Sequence, residues 1–96
     1  MKWFGYNRGM ADETLPEVDF GTFVLSLASS ALMHLGEIAN PETGEQAASL
    51  PLAKQTLDIL GMLRDKTRGN LSKEESELLD NLLYDLRMKY LAAKGR

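Results

Sequence analysis

The sequence predicts an all-α fold, a small three-helix domain completed by oligomerisation. Three observations predict it. The stretch from Phe20 to Gly36 holds no Asp, Glu, Lys or Arg, and its apolar residues recur at the helical period. Two later segments show the same period with charged faces of the ordinary kind. The third observation is a surplus: from Leu78 to Leu91, nine of fourteen side chains are large and apolar, where a bundle helix needs about six. A chain of 96 residues buries only about 60 to 65% of its unfolded surface. The surplus therefore calls for a second subunit, most simply in a dimer.

Residues 1–18 read as a flexible N-terminal leader, because no period emerges and Gly5, Gly9 and Pro16 interrupt it. Trp3, Phe4 and Tyr6 beside Lys2 and Arg8 offer a contact to a partner or a membrane interface. The plainer reading is a mobile leader, or an upstream start before an initiator at Met10. Asp19 is a good N-cap, and the first helix is expected over about residues 20–35. Phe23, Val24, Leu27, Ala31, Leu35 and Ile38 fall on one side of it. Thr22, Ser26, Ser29 and Met33 form a small, uncharged opposite face. A surface helix usually carries charge on its solvent side, so near-complete burial of this helix is expected.

Gly36 is a natural stop, and Asn40-Pro41-Glu42-Thr43-Gly44 has the composition of a tight turn, with room for a short extended pair around it. The second helix is expected over about 50–68, with Ser49 as cap and Pro51 in the first turn. Its stripe reads as Leu52, Thr56, Ile59 and Leu63, widened by Leu57, Leu60 and Met62. Gly61 marks either a close helix contact or a tolerated cost. Ser72 and Glu75 carry the capping-box spacing that opens the third helix, expected over about 73–93. Residues 19–96 thus form a single helical domain.

Chemistry is scarce. One His and no Cys exclude disulfides and a thiolate or imidazole zinc centre, and no cofactor is expected. Glu74, Glu75, Glu77 and Asp80 serve a helix cap and dipole better than a cation. No Gly-rich phosphate loop exists. Arg64, Lys66, Arg68 and Lys73 cluster between the second and third helices, but acids dilute them and the net charge is −3, so nucleic acid is not an expected partner. Met1 to Met10 lacks a signal-peptide core, and Phe20 to Leu35 falls short of the ~20 residues that span a bilayer, with acidic flanks. Cytoplasmic localisation follows as the default.

Charge is also unevenly placed. Between Arg8 and Lys54 there are seven acids and no base; from Lys54 onward nine bases meet seven acids. The two halves attract each other between subunits, or are simply solvated loops and faces.

Ser30 and His34, one turn apart, are the single nucleophile-and-base pairing available. Their setting lacks a strained turn, an oxyanion donor and a third residue to orient the imidazole, so a structural histidine is the better reading and no catalytic residue is assigned. Tyr84, Met88 and Leu91 form a strip apart from the Leu78-Leu82-Leu86 face. With Phe23 and Leu27 they are the candidate subunit interface.

The blocks PEVDFGTFVLSLASSALMHLGE, NPETG, LPLAKQTLDILGMLRDKTRGNLSKEE and LLYDLRMKY resemble the bacterial domain-of-unknown-function family 1844, over roughly Leu15 to Leu91. The resemblance implies a short helical bacterial protein and carries over no catalytic or cofactor residue. The function expected is that of a non-enzymatic helical interaction or scaffold module acting as a homo-oligomer. Two alternatives remain: a small enzyme using Ser30 and His34, and a membrane-associated protein using the first helix or the aromatic leader.

Overall fold

The computed structural model describes residues 17–95. Three helices account for most of them: α1 (Phe20–His34), α2 (Leu50–Lys66) and α3 (Lys73–Lys94). No strand occurs among the described residues. The expected leader lies outside them, except for Glu17 and Val18, which are exposed.

Each helix starts where local chemistry satisfies its free amides. Asp19 is extended, at φ −140° and ψ 172°, and its carboxylate accepts the Thr22 amide at 2.7 Å. In α3 the box is complete: the Glu75 amide donates to Ser72 Oγ at 3.1 Å, and the Ser72 amide donates to Glu75 Oε1 at 2.9 Å. Ser49 departs from expectation, since it holds the N-cap position of α2 without a side-chain cap bond. Pro51 removes one of the amides that such a cap would serve. The Ser49 backbone amide instead reaches across to the His34 carbonyl at 2.7 Å, which pins the start of α2 to the end of α1.

The stops are equally local. Gly36 sits at φ +80°, and the Gly36 and Glu37 amides donate back to Met33 and Leu32 at 3.0 and 2.9 Å, a Schellman turn. A side chain at Gly36 would also crowd Ala48, whose Cβ stands 3.3 Å from an ideal β-carbon there. Helix α2 ends at Lys66 rather than 68, because Thr67 and Arg68 tighten into turn hydrogen bonds before Gly69 at φ +86°. In the long connection, the Asn40 amide donates to the Glu45 carbonyl and the Gly44 amide to the Asn40 carbonyl, both at 2.7 Å, around the expected turn.

Helices α1 and α2 run antiparallel, as do α2 and α3, so α1 and α3 run the same way. The α1–α3 flank is marked by Gly21, where a β-carbon would lie 3.6 Å from Leu78 Cδ2. The α2–α3 flank is marked by Arg64 and Asp80, 3.3 Å apart. Val24, Ala28, Ala31 and Leu35 of α1 and its C-cap meet Ala53, Leu57 and Leu60 of α2 and Leu79, Leu83 and Leu86 of α3 in one core. Thr56 is the buried polar side chain of that core, and its hydroxyl donates to the Leu52 carbonyl at 3.0 Å.

Three sequence expectations about burial are corrected. Helix α1 is not enclosed: Thr22, Phe23, Leu25, Ser26 and Ser29 are exposed, because two neighbouring helices cover only one side of a third. The buried stripe of α2 is rotated from Leu52 and Ile59, both exposed, onto Ala53, Leu57 and Leu60. In α3, Leu79 and Leu83 are buried with Leu86, while Leu78 and Leu82 are half-buried.

Candidate interaction surfaces

The outer face of α3 is the most exposed apolar surface. Tyr84, Met88 and Leu91 follow spacings of four and three residues, which places them on one line along the helix. That line lies opposite the one formed by Leu79, Leu83 and Leu86. Tyr84 is 70% exposed and Leu91 59%. Asp85 and Lys89, paired at 3.6 Å, border the strip on the side toward α1. An apolar line of this kind at a 4-3 spacing is what a second helix packs against.

Phe23 and Leu27 lie elsewhere. They occupy the flank of α1 that turns toward α2, the side away from Gly21 and Leu78. Phe23 is exposed and Leu27 is half-buried against the core. Across the groove, Leu52, Ile59 and Met62 of α2 are exposed. The five candidate interface residues therefore divide between two surfaces, one on α3 and one between α1 and α2. The sequence offered Leu52 and Ile59 as core; the alternation of small Ala53 with Leu57 and Leu60 was the signal for the true stripe.

Ser30 and His34 do not form a pair. No hydrogen bond joins them, and they line different depressions. Ser30 faces an open hollow of about 570 Å³ with Ser29, Met33, Ile38 and Pro41. His34 faces another with Ser49 and Leu52.

Several charged groups are paired with near neighbours. Arg64 faces Asp80, Arg68 donates to Asp65 at 3.0 Å, and Lys54 donates to Asp58 at 2.9 Å. The Asp58 hydrogen bond and its charge hold the Lys54 ammonium above its ordinary pKa. The amide of Thr22 holds the Asp19 carboxyl below the usual carboxylate value. Arg64 and Arg68 line a hollow of about 180 Å³ between α2 and α3, but their carboxylate partners leave no basic patch there. Among the described residues, no group of three or more His, Cys, Asp or Glu is placed to hold a metal ion. Among them, too, no helix is long and apolar enough to cross a membrane.

Neither the curated proteins nor the solved structures include a match to this chain. One protein family does match, over residues 17–92, which takes in all three helices except the last residues of α3. Those residues cover the blocks that carried the resemblance in the sequence, except for Pro16 at the start of the first. The family is described as Domain of unknown function (DUF1844), and the chain belongs to it.

Proposed function

We propose that the protein is a non-enzymatic helical interaction module that acts as a homo-oligomer, most simply a dimer, in the cytoplasm. The observation that carries this reading is the strip of Tyr84, Met88 and Leu91, which the three-helix core leaves uncovered. Exposed large apolar side chains scattered singly are normal, whereas a continuous line along one helix marks a contact surface. A second copy related by a two-fold axis presents the same strip and covers it with itself. The groove between α1 and α2, with Phe23 and Ile59, is a separate apolar surface that pairing through α3 leaves open. The cytoplasmic part of the reading rests on the acidic residues Asp19 and Glu37 flanking α1, where a membrane anchor would carry Lys or Arg.

The test is molar mass by light scattering from micromolar to millimolar protein. The wild-type chain is expected at a multiple of 10.7 kDa. Tyr84→Glu with Met88→Glu is expected to fall to the single-chain mass with its helical circular dichroism intact. A wild-type chain that stays at single-chain mass throughout refutes the reading.

A further inference from the structure

The outward face of α1 is uncharged along its whole length, in a protein with 26% charged residues. Leu25, 49% exposed, stands on one edge and Phe23, 45% exposed, on the other, with Thr22, Ser26 and Ser29 between them. At its C-terminal end the face runs into the open hollow of about 570 Å³ under the connection, where Met33, Ile38 and Pro41 meet Ser29 and Ser30. Ile38 is itself 41% exposed. A trough of small side chains between two apolar edges, opening into an apolar hollow, fits one helix laid along it.

Charge names the chemistry of that helix. Glu17 and Asp19 stand at the N-terminal end of the face, and Glu37, Glu42 and Glu45 at the C-terminal end, all exposed. Glu42 also lines the hollow. Among the described residues, neither α1 nor the connection contains Lys or Arg. On the neighbouring helices, the bases whose positions turn toward α1 are Lys66, in the last turn of α2, and Lys89, which Asp85 holds at 3.6 Å. A second copy meeting this face with its own α1 would bring one acidic end against another, in either direction. Complementarity instead selects a partner with bases beyond both ends of its apolar stretch.

We propose that the outward face of α1, with the hollow beneath Ile38, is a docking surface for an amphipathic helix flanked by Lys or Arg on a partner protein. The proposal rests on the reading of the protein as an interaction module, and it assigns self-association to α3 and partner binding to α1. Salt weakens such binding, because the flanking charges on both sides are exposed.

The probe is a synthetic amphipathic Leu/Lys helix of about 15 residues, the length of α1, with a Leu/Glu peptide of the same pattern as control. Binding to the full chain is read by fluorescence anisotropy of a labelled peptide at low and high salt. The Leu/Lys peptide is expected to bind and the Leu/Glu peptide not. Ser26→Arg, in the trough, and the double variant Glu42→Lys with Glu45→Lys are each expected to weaken binding by about tenfold or more. Glu77→Lys, an exposed acid on α3, is expected to leave it within about twofold.

Equal binding of both peptides, or equal losses in all three variants, overturns the proposal. Two other occupants are read in the same variants. If Ser26→Arg lowers the molar mass of the assembly, a second copy covers the face and the proposal fails. If it shifts the emission of Trp3, the only tryptophan, residues 1–16 cover it and the proposal fails. A chain that stays single at every concentration yet binds the Leu/Lys peptide in this pattern refutes self-association and supports the docking surface.

Discussion

Arg87 of α3 lays its guanidinium over Gly61 of α2: a β-carbon at Gly61 would stand 3.1 Å from Arg87 Nη2. The obstacle is the far end of a flexible side chain, with no backbone behind it. Glycine in a helix interior is about 1 kcal/mol less favourable than alanine. Gly61→Ala is therefore expected to stabilise the protein by about 0.5–1 kcal/mol. Urea unfolding at unchanged slope measures it. A loss of stability would mean that the Arg87 tip cannot move.

The rotation of the α2 stripe gives a sharper test of the core. Leu60 is fully buried and Ile59 is 37% exposed, although they are chain neighbours of nearly equal size. Leu60→Ala is expected to cost about 2–5 kcal/mol, and Ile59→Ala about 1 kcal/mol or less. Unfolding at several protein concentrations separates core loss from subunit contact. Equal costs at the two positions would put the stripe back where the periodicity alone placed it.

The two serine caps predict different outcomes for the same substitution. Ser72 both accepts from and returns a bond to Glu75, whereas Ser49 makes no cap bond through its side chain. Ser72→Ala is expected to cost about 1 kcal/mol. Ser49→Ala is expected to stay within about 0.5 kcal/mol. Thermal unfolding of both variants under one buffer decides it.

Acid should loosen the start of α1. The Thr22 amide favours the charged form of Asp19, so its folded pKa lies below the ordinary 3.8. A depressed carboxylate pKa contributes stability that is present above 3.8 and lost as pH falls through the folded value. Asp19→Asn, which keeps an acceptor but not the charge, is expected to lower stability slightly at neutral pH and to flatten its fall with pH below 3.8. An NMR titration of the Asp19 carboxyl in the wild-type chain, showing no depression, would refute the linkage.

These positions also show how much the chain disclosed before folding. Asp19, Gly36, Ser72 and Glu75 act through partners within five residues, so local spacing revealed them and with them the number and placement of the helices. Burial depends on what lies across the fold. An uncharged α1 is compatible with enclosure or with an open face, and only the count of neighbouring helices chooses between them. Ala53 weighs little in any apolar tally, yet it is completely buried. Leu52 weighs heavily and is 46% exposed. The candidate contact residues were visible as a surplus of apolar side chains, but their division between α3 and the α1–α2 groove was not, because it depends on how α1 is rotated about its axis.

The connection between α1 and α2 is closed three times. Ser49 reaches the His34 carbonyl at its outer ends, the Gln46 side chain reaches the Gly36 carbonyl inside that, and Asn40 meets Glu45 around the tip. Beyond that inner rung, Gly44 has open space about its α-carbon. Residues inserted between Thr43 and Gly44 would lengthen an outward finger without changing the spacing of the helices. Relatives that vary in size are expected to do so at that point, and a tag grafted there should leave the Tyr84–Leu91 face of α3 free.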